Sequence, residues 1–144
     1  WMTEPTAGTT DYAVAIFYNA IREKHYECYL KPDTLLPMMY MPGAIKSLVK
    51  LAEADVYKLK HHADFNVNSL SFTPAELADS IRSRIPEFTI AYKIDPLRQA
   101  IADSWPDSLD DSAAKTEWGW EPSYDLDSMV DDMLENLNRK LGEE

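Results

Sequence analysis

The sequence predicts an α/β domain, and three observations predict it. Stretches with apolar residues at helical spacing alternate with short runs that alternate in polarity or are rich in aromatic residues. Helix start and stop signals recur between them, Thr73-Pro74-Ala75-Glu76 being the clearest. No internal repeat or low-complexity segment interrupts the pattern. The expected order is helix, β-hairpin, helix, strand, helix, strand, helix, helix, an α/β or α+β arrangement. At 144 residues this is one domain's worth of chain.

Residues 1–10 read as a loop. Asp11 stands as an N-cap before Ala13, Ile16, Phe17, Ala20 and Ile21, whose spacing predicts a helix over 12–24. Tyr26 to Lys31 and Leu36 to Met41 read as strands, and Pro32-Asp33-Thr34 supplies turn chemistry for a hairpin. Pro42 suits a first helical position, and Ile45, Leu48, Val49 and Ala52 form the apolar stripe of a helix to about Ala54. Gly43 weakens that start, because Gly costs up to ~1 kcal/mol relative to Ala inside a helix. Residues 55–63 are polar and read as a surface connection, followed by a short strand over Asp64–Asn68.

Thr73 to Glu76 is a capping box that opens a helix to about Arg84, which Pro86 stops. Phe88 to Lys93 alternates as a strand. Asp110 or Asp111 caps a short helix to Trp118, with Gly119 as its C-terminal break and Trp118 and Trp120 packing around that turn. Leu126, Met129, Val130, Met133, Leu134, Leu137 and Leu141 form the clearest helical stripe, and Arg139 and Lys140 suit the negative end of that helix.

The chain is 45% hydrophobic, enough for a modest core, and carries 25 acids against 14 bases for a formal charge of -11. Nucleic acid and anionic membrane surfaces need clustered Lys and Arg, so neither is expected as a partner. Cys28 is the one cysteine, which excludes an internal disulfide; in its alternating stretch it reads as a small apolar side chain, consistent with a reducing compartment. No apolar run approaches the ~20 residues that span a bilayer, and no secretory signal opens the chain. Trp1 precedes Met2, so the sequence is expected to open within a longer protein or at an unusual end.

Chemistry could reside in three places. Gly8-Thr9-Thr10 stands directly before a helix, where backbone N–H groups, the dipole and two hydroxyls favour a carboxylate; a plain helix cap would use the same residues. Trp105, before Pro106 in a segment without regular period, is either a core plug or a pocket wall. Arg98 offers a fork for a carboxylate or phosphate, or an internal ion pair. His25, His61 and His62 lack the spacing of a metal site, and no metal is expected. There is no Gly-x-x-Gly-x-x-Gly loop, the four glycines being at 8, 43, 119 and 142, and no Tyr-x-x-x-Lys pair. The chain therefore supplies neither a nicotinamide cradle nor a catalytic base, and no catalytic residue is assigned.

The run Pro96-Leu97-Arg98-Gln99-Ala100-Ile101-Ala102-Asp103-Ser104-Trp105-Pro106, with Asp110-Asp111-Ser112, Trp118-Gly119-Trp120, Gly8-Thr9-Thr10-Asp11-Tyr12 and Leu36-Pro37-Met38-Met39-Tyr40-Met41, resembles the C-terminal part of the NAD-dependent L-threonine 3-dehydrogenases of the extended short-chain dehydrogenase/reductase family. The resemblance runs from about Gly8 to Leu134. It implies that residues 1–144 form a C-terminal substrate-binding lobe lacking most of the Rossmann domain. The implied reaction oxidises the threonine 3-hydroxyl to 2-amino-3-oxobutanoate with hydride passing to NAD⁺. Most of the NAD site and the catalytic Tyr and Lys would lie in the absent half.

Gly8, Thr9 and Thr10 match the loop that lines the threonine pocket in that family. Trp105 matches a Trp that lies over the substrate in a mobile region. The family usually has an acid where Gly43 stands. The isolated chain is expected to be inactive and to need the missing NAD-binding half, or to self-associate. The expected location is cytoplasmic, or mitochondrial in a eukaryote. A sugar-nucleotide epimerase/dehydratase fragment, whose related Arg binds a pyrophosphate, and a non-catalytic interaction module remain as alternatives.

Overall fold

The computed structural model describes residues 5, 6 and 8–142; residues 1–4 and 7 of the predicted N-terminal loop lie outside the described residues, as do Glu143 and Glu144. Helix α1 spans Tyr12–Arg22 and buries Tyr12, Ile16, Phe17 and Ala20, the face its apolar spacing predicted. It ends where Lys24 takes a left-handed φ of 56°. Strand β1 (His25–Cys28) buries alternate residues Tyr26 and Cys28. Helix α3 (Pro74–Arg84) begins on the predicted capping box: Thr73 Oγ1 accepts from Glu76 N–H at 3.2 Å, and Glu76 Oε2 accepts from Thr73 N–H at 2.8 Å. Strand β4 (Thr89–Tyr92) lies parallel to β1 with Tyr26 opposite Ile90 and Cys28 opposite Tyr92. Helix α6 (Leu126–Gly142) buries Met129, Val130, Met133, Leu134 and Leu137. Helices α1, α3 and α6 pack on one another, and the two-stranded sheet rests against α1 and α3.

Two expectations are corrected. The predicted hairpin does not form. Strand β2 (Leu36–Met38) pairs antiparallel with β3 (Leu70–Phe72), while β1 pairs with β4. The intervening segment is held by side-chain and main-chain bonds instead: Lys31 N–H donates to Gln99 Oε1 at 2.8 Å, and Ala75 N–H donates to the Pro32 carbonyl. These bonds draw residues 31–34 away from a tight two-strand turn.

The second correction concerns Asp64–Asn68, which is not a paired strand; residues 64–69 belong to no element. Alternation alone does not make a strand when no neighbouring strand is available. Helix α2 (Met41–Ala52) forms where the apolar stripe was expected, with that stripe turned outward. Ile45, Leu48 and Val49 are 56%, 70% and 51% exposed, whereas Gly43 and Ser47 are buried. The helix is fastened by its polar side and its start: Lys46 Nζ donates to Ser123 Oγ at 2.6 Å, Lys50 Nζ to the Gly119 carbonyl, and Tyr40 Oη to Asp132 Oδ2 at 2.6 Å.

One helix escaped the sequence reading. Helix α4 (Pro96–Ala102) is capped by Asp95, whose carboxylate accepts from the N–H groups of Leu97 and Arg98 at 2.9 and 3.1 Å. Asp before Pro is the signal that could have found it. Helix α5 (Ser112–Trp118) closes at Gly119, whose φ of 71° is the left-handed value glycine accepts freely. Trp120 is fully buried behind it and donates its indole N–H to the Asn68 carbonyl at 2.9 Å.

Candidate substrate-binding site

The loop before α1 is fixed from two sides. Asp11 occupies the predicted cap position, but its side chain makes no helix-capping bond. It turns back instead: Oδ2 accepts from Thr6 N–H at 2.7 Å, from Thr6 Oγ1 at 2.5 Å and from Gly8 N–H at 3.2 Å. Helical backbone angles at Asp11 itself, φ -65° and ψ -13°, aim its side chain away from the N–H groups of the next turn. From the other side Tyr29 Oη donates to the carbonyls of Gly8 and Thr9, at 2.9 and 3.1 Å. Gly8 allows this closeness, because a Cβ there would stand 3.0 Å from Asp11 Oδ1.

Arg98 completes this arrangement. Its guanidinium lies 4.2 Å over the Tyr29 ring and 3.8 Å from Asp95 Oδ2. Arg98 therefore spends its charge inside the fold, and Asp103 pairs with Lys31 at 3.8 Å instead. The Thr6 hydroxyl above all, then the N–H groups of Gly8 and Thr6 and the field of Arg98, hold the Asp11 carboxyl below the usual carboxylate range against the opposing effect of burial. Asp11 is thus a fixed negative group at the root of the loop, and it consumes the Gly8 N–H that an anion would otherwise use.

Thr10 and Asp11 line a cavity of about 280 Å³ with Ala13, Val14, Tyr40, Phe72 and five of the six methionines, Met38, Met39, Met41, Met129 and Met133. Trp105 is elsewhere. It sits in the turn after α4, its N–H donating to the Ala102 carbonyl at 3.0 Å, and is 44% exposed. It lines a cavity of about 490 Å³ with Lys31, Asp33, Thr34, Leu35, Ala102, Asp103 and Asp107. The fold thus brings Gly8, Thr9 and Thr10 together in one loop and sets Trp105 on a second, separate cavity.

Sequence reasoning missed the residues that hold the loop, Tyr29 and Asp11's backward clamp. Tyr29 lies 20 residues from Thr9 in the chain, and nothing in local spacing announces that contact. Cys28 is buried, and that burial pushes its thiol above the ordinary value, as expected for a packing residue and not a nucleophile. Among the described residues no group of three or more His, Cys, Asp or Glu could hold a metal ion, and no helix is long and apolar enough to cross a membrane.

No family model matches the chain. Its relatives do. It is 47% identical over 137 residues to an uncharacterized epimerase/dehydratase of Staphylococcus aureus (strain USA300), covering 95% of this chain and 43% of the relative. The crystal structure of L-threonine dehydrogenase from Phytophthora infestans superposes with a TM-score of 0.92 at 46% identity, over 96% of this chain and 44% of that one. The structure of L-threonine dehydrogenase from Clostridium difficile gives a TM-score of 0.92 at 54% identity, over 96% of this chain and 43% of that one. The chain thus spans less than half the length of the proteins it matches. By sequence and by fold it matches the C-terminal part of the epimerase/dehydratase-like extended short-chain dehydrogenases that include the L-threonine 3-dehydrogenases.

Proposed function

We propose that residues 1–144 form the substrate-binding portion of an NAD-dependent L-threonine 3-dehydrogenase, which oxidises L-threonine to 2-amino-3-oxobutanoate. The observation that carries this reading is the 54% identity, at a TM-score of 0.92, to an L-threonine dehydrogenase across 96% of the chain. NAD⁺ would accept the hydride and would be held mainly by a cofactor-binding domain outside this chain, which has no glycine-rich cradle of its own. The catalytic residues belong to that domain as well.

On this reading Gly8, Thr9 and Thr10 hold the amino acid at the start of α1. The two Thr hydroxyls and the dipole of α1 suit its carboxylate. Asp11, lining the same cavity as Thr10, suits its ammonium group. A fixed negative charge there also repels a pyrophosphate, and Arg98 is already engaged with Tyr29 and Asp95, so a sugar nucleotide is poorly served. Trp105 would act as a cover that swings from its present cavity toward the substrate and excludes water during hydride transfer.

The test is NADH formation from L-threonine and NAD⁺ by the longest natural protein containing this chain. We expect Thr10→Ala and Trp105→Ala each to lower kcat/KM by about tenfold or more, a loss of roughly 1.4 kcal/mol of transition-state stabilisation. A folded whole protein that forms no NADH would reject the reading.

A further inference from the structure

Tyr29 is held at three levels. Its carbonyl accepts from Asp95 N–H at 2.9 Å, its ring meets the Arg98 guanidinium at 4.2 Å, and its hydroxyl donates to the Gly8 and Thr9 carbonyls at 2.9 and 3.1 Å. Asp95 also pairs with Arg98 and caps α4, so the ring is braced by a helix start. Burial above all pushes the Tyr29 phenol above its ordinary value, which keeps it a donor through neutral pH.

Those two hydroxyl bonds also orient the far side of the loop. The Gly8 carbonyl and the Thr9 N–H share one peptide unit, and the Thr9 carbonyl and the Thr10 N–H share the next. A trans peptide is planar and sets its carbonyl and N–H on opposite sides, and among the described residues no peptide bond is cis. With both carbonyls turned onto one phenol oxygen, both N–H groups face away from Tyr29. Among the described residues, neither these two N–H groups nor the Thr9 and Thr10 hydroxyls make a hydrogen bond. The Gly8 N–H, by contrast, is already taken by Asp11.

We infer that Tyr29 is a positioning residue, whose hydroxyl sets the Thr9 and Thr10 N–H groups as a pair of adjacent donors for the carboxylate of the amino-acid substrate. The inference rests on the reading above that this loop holds threonine. Successive peptide N–H groups facing one way make an anion-binding concavity, and the start of α1 adds its dipole. Without the Tyr29 hydroxyl both carbonyls lose their donor, and the two peptide units are free to turn. A peptide turned over presents a carbonyl oxygen where its N–H stood, and that oxygen repels a carboxylate. Tyr29 acts only through the loop, the donors themselves being backbone groups.

The experiment uses the longest natural protein containing this chain, unaltered and as Tyr29→Phe. Amide exchange at Thr9 and Thr10 is followed with saturating L-threonine and NADH, a cofactor form that accepts no hydride. In the unaltered protein L-threonine is expected to slow exchange at both positions about tenfold or more, and in Tyr29→Phe by less than about threefold. In NADH formation Tyr29→Phe is expected to raise KM for L-threonine about fivefold or more, with kcat within about twofold and KM for NAD⁺ unchanged. No slowing in the unaltered protein, equal slowing in the variant, or a loss confined to kcat would each overturn the inference. Slowing that depends on Tyr29 in a protein that forms no NADH would uphold the positioning role and reject threonine oxidation. NADH formation without slowing at Thr9 and Thr10 would do the reverse.

Discussion

Asp11 shows how a single side chain can be placed correctly by the sequence and used differently by the fold. The cap position is legible, because Asp before an apolar helical period is a start signal. The backward turn onto Thr6 and Gly8 is not, because it depends on the helical backbone angles that Asp11 itself adopts at the cap. Its depressed carboxyl has a consequence for pH. Asp11 contributes stability above the unfolded carboxylate value of about 3.9, and that contribution is lost as pH falls through the lower folded value. Amide resonances of Thr6 and Gly8 are expected to shift together with a midpoint below that of a free Asp. Tyr29→Phe removes the donor to two carbonyls of the same loop and should cost about 1 kcal/mol in denaturant unfolding. Gly43 is the opposite case. It is buried in α2, yet a Cβ there would find only Met39 Cγ at an ordinary 3.9 Å. Gly43→Ala is expected to stabilise by about 0.5–1 kcal/mol, read as a higher Tm.

Helix pairs are joined by contacts that local pattern announces only in part. The apolar stripe of α6 is plain in the sequence, and so is the box that opens α3. The ionic clamp between them is not, since its members are 43 and 47 residues apart. Arg84 on α3 donates to Asp127 and Asp131 on α6, each at 2.8 Å, and Ser80 adds a bond to Asp127 at 2.7 Å. Hydrogen bonds from Ser80 and then Arg84 lower the Asp127 carboxyl, and those from Arg84 lower that of Asp131. Both therefore favour the folded chain above about pH 3.9, and that support disappears as pH falls through their folded values. Arg84→Met should flatten the acid limb of the stability curve, measured as Tm against pH between neutral and about pH 3. A limb that is unchanged would show that the clamp does not couple to folding. Strand pairing was the least legible level. The parallel partner of β1 lies 64 positions away, and a turn-like Pro32-Asp33-Thr34 suggests a nearer one.

At the level of the whole molecule, the proposed substrate loop could be picked out in the sequence as a candidate, and its surroundings could not. Thr9 and Thr10 put two hydroxyls at a helix start, and Trp105 puts an aromatic residue on a loop, features that a plain cap and a core plug would share. That the two line different cavities is a property of the folded chain alone. The stripe of α2 was legible as apolar, and its exposure was not. Amphipathic spacing tells which residues seek cover, not whether the same chain provides it. The purified 144-residue chain is expected to produce no NADH from L-threonine and NAD⁺, with any measurable turnover refuting the division of labour proposed above.

The cavity beside Thr10 has a chemical vulnerability of its own. Its wall is largely thioether, and thioethers are oxidised to sulfoxides, which are polar and bulkier. Cys28 is buried, so peroxide would meet Met41, 54% exposed, well before the thiol. Mild oxidation should therefore wet this wall while Cys28 still resists alkylation, and covering Met41 by a bound partner should shield it. Oxidative ageing of the protein would be a methionine process, reversible by sulfoxide reduction and invisible to reagents that count free thiols.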